Sequence, residues 1–166
     1  MAFQRVRSLI AGAMDVAPPA DNLTFPMTSN TAAVAGTVYK FTQATGRIVL
    51  AAAASKDAAV ICLESKAAVA DVGGAPQVHV RCAWITPGTV YKAPITDKDG
   101  TALTTLDDGV YLGATLNIND TGTGVDGETD LTAVNGPLTV VGLTEDKDFA
   151  YVVFNTCLLA MDVDTV

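Results

Sequence analysis

Gln77-Val78-His79-Val80-Arg81-Cys82-Ala83-Trp84-Ile85-Thr86-Pro87-Gly88-Thr89-Val90-Tyr91-Lys92 is the stretch that decides the fold. Its first half alternates. Val78, Val80, Cys82 and Trp84 fall on one face of an extended chain, and His79, Arg81 and Ala83 on the other, as in a strand with one face in a core. Thr86-Pro87-Gly88 turns the chain, and Thr89-Val90-Tyr91-Lys92 opens a second strand that Pro94 ends. The pentapeptide Gly-Thr-Val-Tyr-Lys also stands at Gly36 to Lys40. A third turn glycine, Gly109 after Asp107-Asp108, precedes Val110-Tyr111-Leu112-Gly113, read here as another strand. The flanks of the two pentapeptides, Phe41-Thr42 and Ala93-Pro94, do not match, so the repeat is a turn-then-strand device used again and not a solenoid unit.

Outward from this stretch the pattern continues as short apolar segments separated by Gly, Pro, Asn and Asp, which is how an all-β domain reads. Thr37 to Thr42 places Thr37, Tyr39 and Phe41 on one face, and Gln43-Ala44-Thr45-Gly46 turns it into Arg47-Ile48-Val49-Leu50 as a hairpin. The alanine-rich run Ala51 to Leu63 is compatible with a short helix, but Val60-Ile61 makes a strand after Asp57 the expectation. Leu138 to Leu143 and Phe149 to Leu159 read as two strands around an acidic tip, Thr144-Glu145-Asp146-Lys147-Asp148.

The expected architecture is a small β-barrel or β-tulip-like domain over residues 31–166, ending in a short tail at Asp162 to Val166. It is preceded by an extended N-terminal arm, residues 1–30. Arg5 and Arg7 ahead of Leu9-Ile10-Ala11-Gly12-Ala13 have the outline of a secretory signal, but the apolar core is short and broken by glycine. With Ala17-Pro18-Pro19-Ala20 following, the segment reads as an arm outside the core, mobile or docked on a partner.

The chain has 166 residues and a formal charge of -8. Residues 1–96 hold 8 Lys+Arg and 5 Asp+Glu, a net +3, and residues 97–166 hold 2 and 13, a net -11. An acidic half repels phosphate, and 6% aromatic residues offer little for bases to stack on, so a nucleic-acid groove is not expected. No apolar run approaches the ~20 residues of a membrane helix, and a soluble chain without a membrane partner is expected.

Catalysis needs complementary groups held together, and few are on offer. His79, the one histidine, stands three residues from Cys82, an odd spacing that sends the two side chains to opposite faces of a strand. Cys62, Cys82 and Cys157 show no metal-ligand or disulfide spacing and read as buried reduced thiols. Asp97-Lys98-Asp99-Gly100 and the loop from Asn119 to Asp130 are rich in oxygen ligands, but neither matches a calcium loop, and turn chemistry explains both. Glu64, Glu128 and Glu145 are the only glutamates, and aromatics for a sugar cleft are scarce. Neither an enzyme nor a cofactor is expected.

Turn-strand units opening at glycine, a hydrophilic extended N-terminus and high Ala, Thr, Val and Gly content together resemble the head decoration, or capsid cement, proteins of tailed bacteriophages. The resemblance rests on Val38-Tyr39-Lys40 through the Gly46 turn, on Val78 to Pro94, and on Leu138-Thr139-Val140-Val141-Gly142-Leu143, and spans about residues 35–160. It implies a small β-domain made in the host cytoplasm and carried on the capsid exterior. Its partner would be the major capsid protein, and the chain would form trimers or dimers. Under it Phe3, Arg5, Val6, Arg7, Leu9 and Ile10 are the partner-binding residues, ordering only on the shell. Tyr39 and Tyr91 are expected as core partners, with a subunit seam as the other place open to them. A virion or extracellular carbohydrate-binding β-domain, such as part of a tail or fibre, using the Asp/Gly loops as a calcium or sugar site, is the alternative; a tail-tube protein follows, and a small hydrolase comes last.

Overall fold

Two of the strands begin where a turn glycine releases the chain. Gly36 (φ 81) and Gly88 (φ 72), the leading residues of the two repeated pentapeptides, both take the left-handed backbone that glycine adopts without a Cβ clash, and both then feed a strand. The computed structural model describes residues 3–8, 23–51, 55–86, 88–104, 106–128 and 136–157. Along them run β1 (Gln4–Ser8), β2 (Leu23–Pro26), β3 (Val38–Thr42), β4 (Arg47–Leu50), β5 (Val60–Cys62), β6 (His79–Trp84), β7 (Thr89–Ala93) and β8 (Ile95–Thr96). A one-turn helix α1 (Asp108–Tyr111) follows, then β9 (Thr115–Ile118), β10 (Val125–Asp126), β11 (Leu138–Leu143) and β12 (Ala150–Phe154). The fold is all-β.

The strands make two sheets. One has five strands in the order β2-β6-β5-β3-β4, and the other seven in the order β1-β7-β12-β11-β9-β10-β8. All ladders are antiparallel except β8 with β10. The sheets are open, in place of the closed barrel expected from sequence. The five-stranded sheet nevertheless curls until its two edge strands approach at a single parallel bridge, Met27 to Ile48, where the Thr28 hydroxyl also donates to the Ile48 carbonyl at 3.3 Å.

Two cores result. Val38, Ile61 and Ile85 from the five-stranded sheet meet Tyr91, Leu116, Leu138, Val140, Val152 and Phe154 from the other. Inside the curled sheet, Met27, Tyr39, Ile48, Val60, Val80 and Cys82 form the second core. Because side chains alternate along a strand, neighbours such as Val38 and Tyr39 serve different cores, and β5 and the start of β3 are buried on both faces. Tyr39 and Tyr91 are each 2% exposed, in separate cores and not as partners.

The hairpin β3–β4, the strand after Asp57, the alternation of β6, the end of β7 at Pro94 and the hairpin β11–β12 all stand where the sequence predicts them. Two further expectations change. Val110 to Gly113 is not a strand: the Asp107 carboxylate accepts from the Gly109 N–H at 2.8 Å and caps a helical turn, which Gly113 (φ 80) ends. The arm is not wholly outside the core either. Phe3 is 3% exposed, residues 4–8 add β1 to the edge of β7, and Leu23–Pro26 is an integral strand leading to Met27 at 1% exposure. Residues 9–22 and the tail at 158–166 lie outside the described residues.

Candidate docking surface

The six residues expected to meet a partner divide. Phe3 donates its backbone N–H to the Gly36 carbonyl at 3.1 Å, and its ring lies 5.7 Å from that of Phe154, which in turn meets Tyr91 edge-on at 5.4 Å. Phe3 is therefore an internal anchor and not one that waits for a partner. Arg5 and Arg7 pair through the backbone with Tyr91 and Val90, and the register shifts between them at Val6. Such a bulge on an edge strand bends it and blunts further pairing. Leu9 and Ile10 lie outside the described residues.

The loops weighed as calcium sites are built by their own backbone. The Asp97 carboxylate accepts from the Thr101 N–H at 2.7 Å, which holds its pKa below the usual carboxylate range. Asn119 is fully buried: its Oδ1 accepts from the N–H groups of Thr123 (3.0 Å) and Gly124 (3.3 Å) and from the Thr121 hydroxyl (3.0 Å), while its Nδ2 donates to the Thr96 hydroxyl at 2.8 Å. These oxygens satisfy turn amides, as Asn and Asp do in tight loops. Among the described residues no three His, Cys, Asp or Glu side chains gather as a metal site. His79 is exposed and Cys82 buried, on opposite faces of β6. A cavity of about 230 Å³ is lined by Val34, Ala35, Pro94, Thr96, Gly100, Ala102 and Thr123, which offer hydroxyls and methyls but no titratable group.

The surface is instead divided by character. On the seven-stranded sheet the β11–β12 turn meets α1: Lys147 Nζ lies 2.6 Å from Asp108 Oδ2, and the Leu106 N–H donates to the Lys147 carbonyl at 3.1 Å. Exposed Asp107, Asp108, Glu145, Asp146 and Asp148 stand on the two turns that this ion pair joins and make an acidic corner. Asp108 raises the Lys147 pKa, and the Thr144 hydroxyl lowers that of Asp146.

The five-stranded sheet carries a surface of the opposite kind. From Leu63 to Val72 the chain is irregular and then turns tightly through Gly73 and Gly74 to Ala75, and Leu63, Ala67, Ala68, Val69, Ala70 and Val72 are exposed, Val72 by 68%. It is nonetheless held firmly. Ala33 and Lys66 exchange backbone hydrogen bonds at 2.9 and 3.0 Å, the Asn30 N–H donates to the Val69 carbonyl at 3.1 Å, and the Asp71 N–H donates to the Ser29 hydroxyl at 3.0 Å. Arg47 clamps the far end, 2.6 Å from the Asp71 carboxylate and 3.0 Å from the Gly74 carbonyl. At the near end Glu64 accepts from the Arg81 N–H at 2.8 Å and pairs with Lys66 at 3.0 Å. A row of methyl groups is thus fixed in water by polar contacts beneath it. The apolar residues of this segment have neither the period of a strand nor that of a helix, and that absence of period in an apolar run is the one signal it carries in the sequence. No family model, curated protein or solved structure matches the chain.

Proposed function

We propose that this chain is a structural virion protein, a decoration or cement protein that binds the outer surface of a tailed-phage capsid lattice and stabilises it. The observation that carries the reading is the rigid, exposed apolar segment Leu63 to Ala75 on the less acidic half. Contiguous exposed methyl groups are costly in water and mark interaction surfaces, and a segment already held in place loses little entropy on docking. The acidic corner suits the face turned to solvent, where charge keeps a densely decorated shell from sticking to its neighbours. Binding the assembled lattice in preference to free subunits stabilises it by mass action. The docking role moves from the arm to this segment, and a dimer or trimer at a symmetry junction of the shell remains the proposed assembly.

Co-sedimentation with expanded, emptied heads of the phage whose genome carries this sequence is the direct test. Saturable binding at a fixed ratio to the capsid subunit supports the proposal, and a chain that stays in the supernatant refutes it. Val69→Asp with Val72→Asp should abolish pelleting while shifting the melting temperature by no more than about 2 °C, since both sites are exposed. Light scattering of the free chain separates a discrete oligomer from the open polymer that a tail-tube protein would form.

A carbohydrate-binding β-domain is the second reading, and Phe25, Phe41 and Trp84 favour it. These half-buried rings cluster at 5.1 to 5.8 Å between centroids. Two of the three contacts are edge-to-face, at 67° and 86°, which suits a plug for the curled sheet better than a flat platform for sugar. Trp84 is the only tryptophan, so quenching of its fluorescence by oligosaccharides, with and without calcium, reports on this reading alone.

A further inference from the structure

Two of the three cysteines face one another. Cys62 on β5 and Cys82 on β6 are direct partners in an antiparallel register. The alternation of that ladder fixes their kind of pairing. The Leu63 N–H donates to the Arg81 carbonyl at 2.8 Å, one step beyond the cysteines, and the Ile85 N–H to the Ala59 carbonyl at 2.9 Å, three steps before them. Hydrogen-bonded pairs alternate with open ones, so Cys62 and Cys82 form an open pair, where opposed Cα atoms approach to ~4.5 Å and side chains are closest. That separation lies at the short end of the ~4.4–6.8 Å spanned by disulfides. Both residues are reduced, both are buried at 1% and 0% exposure, and both line the interior of the curled sheet. Cys157 is buried in the other core.

We propose that Cys62 and Cys82 are a redox-active dithiol that closes into a cross-strand disulfide when the folded protein meets a low-molecular-weight disulfide such as oxidised glutathione. Cys62 is the attacking thiol. Hydrogen bonding from Cys82 lowers its pKa to about 7, while the same contact and burial push Cys82 up. Both thiols are buried, so the reagent meets Cys62 when the end of β5 opens; that strand is only three residues long, and the chain beyond it is exposed from Leu63 (42%). The Cys62 thiolate attacks one sulfur of the reagent, and a glutathione thiolate leaves and takes up a proton. The Cys82 thiol then loses its proton and attacks the Cys62 sulfur of the mixed disulfide, expelling the second glutathione. Two electrons and two protons pass from the protein to the reagent. The bond would staple the two central strands of the curled sheet and close a loop of about 20 residues that contains the exposed apolar segment.

The experiment uses the full chain, folded, in mildly alkaline buffer with oxidised glutathione, followed by acid quench, denaturation, alkylation and peptide mapping by mass spectrometry. The expected result is a peptide linked through Cys62 and Cys82 with Cys157 alkylated. The melting temperature should also rise by about 5–10 °C and return on reduction with dithiothreitol. Cys157→Ser should leave the link intact, and Cys82→Ser should instead hold glutathione on Cys62. Alkylation of all three thiols, a link to Cys157, or a Cys62–Cys82 link that forms only in denaturant would overturn the proposal.

Discussion

Gly36 and Gly88 explain why one pentapeptide is written twice: each supplies a left-handed corner from which Thr-Val-Tyr enters a strand with all three residues buried. An L-residue in that conformation costs roughly 1–2 kcal/mol. Gly36→Ala and Gly88→Ala should therefore each lower the unfolding free energy in urea by about that much, and equal stability to the parent would show that the corners relax. Three carboxyls act by charge. The Arg81 N–H holds the Glu64 pKa down, the Thr101 N–H does so for Asp97, and the Thr144 hydroxyl for Asp146. A carboxyl whose folded pKa is depressed contributes stability above its unfolded value and loses it as pH falls through the folded one. Glu64→Gln and Asp146→Asn should thus melt below the parent near neutrality, with the gap closing on acidification below about pH 4. A gap independent of pH would mean that the two side chains act through shape. The contact of Glu64 with Arg81 was not legible in sequence, because the two meet only through strand pairing, whereas the other two lie within single turns.

At the scale of elements, legibility followed locality. The β3–β4 and β11–β12 hairpins are set by alternation and a turn within a dozen residues, and both could be read directly. Asp107 to Gly113 misled because Asp-Asp-Gly serves equally as a hairpin turn or a helix cap, and the choice falls to the Gly113 N–H, which donates to the Val140 carbonyl at 2.9 Å, far along the chain. β1 misled for a similar reason. Gln4 to Ser8 finds its place only against β7, more than 80 residues later, so its local pattern looked like an arm. Phe3→Ala tests whether β1 is integral: removing a ring buried against Phe154 should cost about 3–5 kcal/mol. A loss under about 1 kcal/mol would return these residues to an arm that the core does not need.

For the whole molecule, the sharing of β3 and β5 between two cores has a thermodynamic reading. Neither core can melt without stripping one face of the strands that line the other, so calorimetry should show one transition, with calorimetric and van't Hoff enthalpies equal. Two resolved peaks would mean that the sheets unfold as separate domains. The all-β character was legible in the length and spacing of the strands, whereas the division into two sheets was not, since it depends on which distant strands pair. That division also has a direction in time. Every strand of the five-stranded sheet comes from one continuous run, residues 23–84, whereas the other sheet takes β1 from before that run and the rest from after it. A ribosome delivers the curled sheet complete, with Val38, Ile61 and Ile85 still facing water, and β7 then waits some 57 residues for β12 to close its second edge. The nascent chain thus passes through a stage with one finished core and one bare apolar wall, and the last strands synthesised are the ones that cover it.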